Sequence, residues 1–487
     1  MRIVVNDIAA SKTGALSILR DFYNYIKLSE NREIETKDGL ERLEWVFLLS
    51  DNYIEETDNI RVITLPKVKG WKKRLAFELI SGGTYIMSLK PDIYFSMQNT
   101  LTRGVKCKTA VYVHQPLCFQ RVKNFSLFKA EEREYAIYQH IIGRLIYSAI
   151  RRADRTIVQT EWMRDEAIRR TKVSGLKVVK ITPDIDVGGN RADTVGENQA
   201  GTVGDNQADT VGEASGEHAG PAESFSGKRF FYPSGDMLYK NHVCIVRAAE
   251  LLKKQGISDF EIVLTLTREE FLRICPSAGE LLIKLDGEKQ IPLSKLCSTK
   301  SVRHSPDGQA GLSTCPIACG NKHSQTDTEK GQEKKDGSKI TRNGGIVCLG
   351  RLSRKEVLSY YKKSVLLFPS YIESFGYPPA EARAMGGAIL ASDTPSSLEV
   401  LSGYDRAFYF DPFRPEELCE LMKDAIEGKL FAEGAPSLKK TDGNREGLQD
   451  GDVISEHQRD PAQPVGSDDS IDRQESSWAK VLQVLTE

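Results

Sequence analysis

The feature that most constrains this chain is the regular return of short apolar runs separated by helical patterns. In residues 1–187 the runs IVV (3–5), WVFLL (45–49), VITL (62–65), IYFSM (93–97), AVYVH (110–114), TIVQ (156–159) and VVKI (178–181) have the length and side chains of strands. Between them lie patterns of helical period, among them ALSILRDFYNYIKL (15–28) and YAIYQHIIGRLIYSAIRR (135–152). Strands apolar throughout that alternate with helices build a parallel sheet covered on both faces, a doubly wound domain. The rhythm returns at RFFYPS (229–234) and runs through IVLTLT (262–267), GIVCLG (345–350), VLLFPS (365–370), AILAS (388–392) and AFYF (407–410). Helices are expected over 242–256, 356–364 and 415–428, the second opened by Ser353 and Glu356 at capping-box spacing. A chain of 487 residues exceeds one core. The expectation is an α/β fold of two doubly wound, Rossmann-like domains, 1–187 and 227–432.

The joining segments have another character. TVG recurs at 194, 202 and 210 within 188–226, a period of eight with almost no large apolar side chains. Such composition cannot offset a backbone ordering entropy of roughly 1–2 kcal/mol per residue, so a disordered linker is expected. A polar insertion at 295–342 and a tract at 433–475 read the same way. The chain ends in SSWAKVLQVLTE (476–487), a short amphipathic helix. A helix of that length is marginal alone, so Trp478 and the leucines must pack on a folded surface, as a clasp between the halves.

Composition excludes several classes. With 40% hydrophobic residues and a net charge of −1, the chain reads as a soluble globular protein without a nucleic-acid partner. No apolar run approaches the ~18–20 residues of a membrane span, and MRIVVNDIAASKTG reads as a strand start, not a secretory signal, giving a cytoplasmic expectation. Nine scattered cysteines argue for reduced thiols. Cys297, His304, Cys315, Cys319 and His323 form either a metal site or part of an unstructured insertion; their spacing matches no common zinc finger, and no metal is expected. Residues 1–187 carry 31 Lys and Arg against 23 Asp and Glu. GWKKRLAFELI (70–80) and Arg121, Lys123, Lys129, Arg151, Arg152 and Arg155 are either solvated helix faces or a surface for peripheral attachment to an anionic membrane, which would put the protein at its inner face.

Candidate site residues concentrate in VLLFPSYIESFGYPPAEARAMGGAILASD (365–393). A strand ends at Phe368, a loop containing Gly376 follows, and Pro378-Pro379 opens a helix that Gly386-Gly387 stops. Glu373 and Glu381 flank the loop, eight residues apart. Ligands of open α/β sheets bind at the carboxyl ends of strands, and helix N-termini favour anions. Singly, Glu381 could be a helix-dipole acid and Glu373 a solvated loop acid; strand, glycine, prolines and spacing together favour a ligand site. His114, at the end of a strand before Gln115-Pro116, is either structural or turned toward a crevice. Gly14, before the first helix, belongs to a capped turn or to a ligand-facing loop; it is not a Gly-x4-Gly-Lys-Ser phosphate loop.

The segment FPSYIESFGYPPAEARAMGGAILASDTPSSLEVL resembles the donor-site signature of the retaining family-4 glycosyltransferases, where two glutamates separated by seven residues flank a Phe-Gly-x-Pro loop. VHQP (113–116), IVQTEWM (157–163), VVKITPDID (178–186), YKNH (239–242) and GRLSRKEVLSYYKKS (350–364) extend the resemblance over both domains. It implies the GT-B architecture, two Rossmann-like domains facing a cleft. It also implies transfer of a sugar from a nucleotide-diphosphate donor to a hydroxyl of a glycan or lipid-linked acceptor, with no cofactor beyond the nucleotide-sugar co-substrate. Residue by residue, Glu381 would bind the ribose hydroxyls and Glu373 would lie by the transferred sugar. Backbone N–H groups from Ser374 through Phe375, Gly376 and Tyr377 would hold sugar hydroxyls and phosphate, and Lys240 would neutralise the diphosphate. His114 would reach the sugar from the first domain, and Gly14 would match the glycine loop over the β-phosphate. No Asp-x-Asp pair is evident, in keeping with a metal-independent mechanism of this kind. Family members commonly carry an arginine five or six residues before Lys240; Ser234 and Gly235 stand there, with Arg351 the candidate substitute. A nucleotide-sugar epimerase and a non-catalytic nucleotide-sugar-binding or scaffold protein remain the alternatives.

Overall fold

The computed structural model describes residues 1–10, 13–28, 31–36, 39–185, 187, 225–283, 344–431 and 476–487. The repeats at 194–210, the 295–342 insertion with its Cys and His cluster, and the 433–475 tract lie outside the described residues.

The first domain holds β1 (Arg2–Asn6), β2 (Glu33–Thr36), β3 (Gly39–Arg42), β4 (Glu44–Leu49), β5 (Ile60–Thr64), β6 (Ile93–Ser96), β7 (Lys108–Val113), β8 (Arg155–Val158) and β9 (Val178–Lys180). Seven of them form one sheet in the order β5-β4-β1-β6-β7-β8-β9, parallel throughout. Alternate residues of β1 explain the unbroken apolar runs. Ile3 and Val5 enter one core with Phe22, Trp45, Phe47 and Phe95, whereas Val4 enters the core on the opposite face with Leu48, Tyr94 and Val111. The hairpin β2–β3 is additional to the sequence expectation: EIET and GLER each offer a single aliphatic residue, so no period is visible.

The second domain holds β10 (Arg229–Tyr232), β11 (Glu261–Leu264), β12 (Gly345–Cys348), β13 (Val365–Phe368), β14 (Ile389–Ser392) and β15 (Ala407–Phe410). They pair in parallel in the order β12-β11-β10-β13-β14-β15. The capping box forms as read, with Ser353 Oγ accepting from Glu356 N and the Glu356 carboxylate accepting from Ser353 N.

Each sheet has one switch point, between β1 and β6 in the first and between β10 and β13 in the second, where connections leave in opposite directions and open a crevice at the carboxyl ends. Those ends face one another. Thr160, just past β8, bonds to the loop after β13, and Leu117 and Phe125 share a cluster with Tyr371 and Ile372. The C-terminal helix Ser477–Thr486 returns to the first domain. Val481, Leu482, Val484 and Leu485 join its core, Trp478 lies 4.9 Å from Phe22 by ring centroids, and Asp184 accepts from Ser477 N at 2.9 Å. The expected clasp is therefore a piece of the first domain's core that the chain reaches from the second.

Candidate functional site

The loop after β13 is built around one carboxylate. Glu373 Oε1 accepts from Lys240 Nζ at 2.5 Å and from Ser370 Oγ at 2.7 Å, and the Lys240 and Glu373 side chains are 13% and 14% exposed. Lys240 reaches this place because its backbone is pinned at the end of β10. The hydroxyl of Tyr232 donates to Lys240 O at 2.8 Å, and Asn241, at φ 59°, sends its amide to Pro369 O and Pro412 O. A lysine and the loop acid thus meet at the switch point of the second sheet. Ser234 stands where the resemblance implies an arginine, and its Oγ lies 3.0 Å from His242 Nε2. Burial, and after it the charge of Lys240, pushes the His242 imidazole down to about 3, so it adds no second cation.

The next two peptides are held by their carbonyls. Thr160 Oγ1 donates to Ser374 O at 2.8 Å, and Ser396 Oγ donates to Phe375 O at 2.7 Å. In a trans peptide C=O and N–H point oppositely, so these bonds turn the N–H groups of Phe375 and Gly376 away from their anchors. Gly376 has φ 92°, and a Cβ there would meet the Phe368 ring at 3.3 Å, so only glycine fits. The helix Tyr377–Ala384 follows. Pro378 and Pro379 carry no N–H, so the expected anion site at this helix start is reduced to donors that precede them.

Glu381 is separate from this pair. It is 6% exposed, with Oε1 accepting from Arg354 Nη1 at 2.6 Å and Oε2 from the Tyr361 hydroxyl at 2.9 Å. Arg354 and Tyr361 lie two turns apart on the helix Arg354–Lys363, on one face. Burial first, and then the Glu381 charge, raises the Tyr361 phenol well above its ordinary value, which keeps it a donor. Arg351 stays exposed.

From the first domain, His114 follows β7. Asn99, at φ 69°, accepts with Oδ1 from His114 N at 2.7 Å and Gln115 N at 2.9 Å, which leaves its Nδ2 facing His114 Nε2 at 3.4 Å. With Nε2 accepting, the ring proton belongs on Nδ1, a buried atom with no partner among the described residues. Part of the residue reaches the surface, but the sealed ring nitrogen cannot be solvated, and burial lowers the imidazole to about 4. Asp7, past β1, is pushed up to about 8 by burial, against the Ala10 N–H and the charge of Arg74. Gly14 lies exposed in the first turn of the helix Thr13–Lys27, where a Cβ would meet nothing within 4 Å.

A cavity of about 400 Å³ opens at the domain junction, lined by Lys180, Pro183, Phe375, Arg383, Glu399 and Val400. It lies apart from the polar site: Lys240, Glu373, Glu381 and His114 do not line it. Sequence reasoning missed Ser370, Arg354, Tyr361, Asn99, Thr160 and Ser396. Only Arg354 and Tyr361 carried a signal, their seven-residue spacing on a helix just before the motif; the others are single hydroxyls and an amide in loops, at a helix cap or, for Ser396, in the first turn of the short helix Pro395–Val400.

Residues 319–440, which contain the loop and Glu381, match the family described as glycosyl transferases group 1. No curated protein sequence matches the chain. Among solved structures, a glycosyltransferase from Rickettsia africae is 12% identical, with 88% of each chain covered and a TM-score of 0.47. Sucrose-phosphate synthase from Thermosynechococcus elongatus is 13% identical over 88% of this chain and 90% of that one, with a TM-score of 0.47. Anabaena HepE in complex with UDP-glucose is 12% identical over 88% and 90%, with a TM-score of 0.45. The two parallel-sheet domains that meet at their carboxyl ends are the GT-B architecture implied by the resemblance.

Proposed function

We propose that the protein is a retaining glycosyltransferase of the family-4 type, moving a sugar from a nucleotide-diphosphate donor to a hydroxyl of a glycan or lipid-linked saccharide. The observation that carries this reading is the meeting of Lys240 and Glu373 at the switch point of the second sheet, with Glu373 inside the segment that has the glycosyl transferase match. Breaking the sugar–phosphate bond builds negative charge on the leaving diphosphate and positive charge at the anomeric carbon. Groups already in place for both charges lower that barrier more than they stabilise the bound donor.

In this reading Lys240 and the N–H groups of Phe375 and Gly376 take the diphosphate. Glu381, oriented by Arg354 and Tyr361, takes the ribose, and Glu373 stands by the sugar. His114 faces the sugar from the end of β7 through the part of the residue that reaches the surface, its Nδ1 being sealed. Gly14 borders the acceptor side. The reaction proceeds without a bound metal, so chelator leaves the rate unchanged. A cytoplasmic protein resting on an anionic membrane fits the basic first domain and its exposed Phe128 (94%) and Ile80 (81%). Among the described residues no helix is long and apolar enough to cross a membrane.

One observation favours a second reading, a binding protein without transfer: Ser234 and a neutral His242 leave the diphosphate a single nearby lysine. Incubation with UDP-, GDP- and dTDP-sugars, followed by assay of nucleoside diphosphate and product, decides between the two. Nucleoside diphosphate release with a new glycoside supports transfer, and binding without release supports the second reading. Absence of binding and release with every donor defeats both.

A further inference from the structure

The helix Glu161–Thr171 begins at Thr160, whose backbone (φ −139°, ψ 156°) is that of an N-cap. A threonine there ordinarily accepts from the second or third N–H of its own helix. Thr160 makes no such bond; its hydroxyl crosses to Ser374 O of the second domain. The helix receives its cap in return from that domain. Glu161 N donates to Glu399 Oε1 at 2.7 Å and Trp162 N donates to Glu399 Oε2 at 3.0 Å, a carboxylate on the positive end of a helix. Lys180 adds a cation 4.0 Å from the same carboxylate.

The exchange reaches the ligand-facing loop. Ser396 fixes the Phe375–Gly376 peptide from within the second domain, so that peptide keeps its orientation wherever the first domain stands. Among the described residues, the Ser374–Phe375 peptide is fixed from the first domain, through Thr160. The N–H of Phe375 therefore points as it does only while the domains are together. On parting, the Thr160 oxygen is free to accept from the second or third N–H of its own helix, and the Glu161 N–H is left to water.

We propose that Thr160 and Glu399 form a cap-exchange latch that couples closure of the two domains to the orientation of the Ser374–Phe375 peptide. Thr160 is a positioning residue and touches no ligand itself. The inference rests on the proposed donor role of the loop, and two readouts separate them. In titration calorimetry with UDP, GDP and dTDP, Thr160→Val weakens whichever nucleotide the wild type binds by about fivefold, the loss of one oriented donor, and Thr160→Ser restores it to within about twofold. In hydrogen exchange, Glu399→Ala speeds the Glu161 and Trp162 amides by about tenfold and leaves β1 unchanged. Wild-type affinity in Thr160→Val overturns the positioning role, and unchanged exchange in Glu399→Ala overturns the latch. If the wild type binds none of the three nucleotides, the donor reading fails, and the exchange result alone upholds or overturns the latch.

Discussion

Lys240 and Glu373 neutralise each other in the ligand-free protein, so a diphosphate entering the site must compete with a carboxylate for the same ammonium. Glu373→Gln removes the competitor. Nucleoside diphosphate should bind Glu373→Gln at least as tightly as wild type while sugar transfer falls by about a hundredfold or more, a split that calorimetry and a release assay measure together. Glu381 is held by two donors of unequal weight. Tyr361→Phe should cost about 1 kcal/mol in urea unfolding, whereas Arg354→Ala, which strands a buried carboxylate, should cost about 3 kcal/mol. His114 gives a pH signature. Its imidazole is lowered to about 4 from an ordinary ~6.5, so the unfolded chain binds the extra proton first. The stability it contributes is full above about pH 6.5 and is lost as pH falls toward 4. Asp7 acts in the opposite sense, because its raised value makes ionisation costly as pH rises toward 8. The difference in melting temperature between wild type and His114→Asn should therefore shrink between pH 6.5 and 4.

At the scale of elements, legibility followed burial on two faces. β1, β4 and β13 bury nearly every residue, so each reads as an apolar run, and the sheet class follows from their alternation with helices. The helix Glu161–Thr171 was harder to read because only Met163, Ala167 and Thr171 are buried, a stripe one residue wide in a charged sequence. The motif loop was legible as a strand–loop–helix turn from its strand, glycine and prolines. Its pairing was not: Lys240 and Glu373 lie 133 positions apart, and the β10–β13 pairing and the Asn241 bond to Pro369 O bring them together. The prolines misled in one respect, since they open the helix and also remove the N–H groups expected to bind anions. The final helix supplies an element-scale prediction. Leu485 is 1% exposed in the first domain's core, so Leu485→Ala should cost about 3 kcal/mol in denaturant unfolding.

For the whole molecule, two parallel sheets bring their switch points toward one groove, joined by an apolar cluster of Leu117 and Phe125 with Tyr371 and Ile372 and by directional hydrogen bonds. Thr160 holds Ser374, Glu399 caps the helix after β8, and Tyr135 accepts from Leu238 N at 3.1 Å beside Lys240. Such an interface can open and close without disturbing the core of either sheet, as the proposed function would require of a groove that admits a donor and then excludes water. In the proposed function this groove binds a nucleoside diphosphate through Lys240. The most direct test is titration calorimetry of UDP, GDP and dTDP against wild type and Lys240→Ala. Wild type should bind at least one nucleotide saturably, and Lys240→Ala should lose about tenfold or more in affinity. Equal affinity in the two proteins, or no binding of any nucleotide by wild type, would contradict this reading.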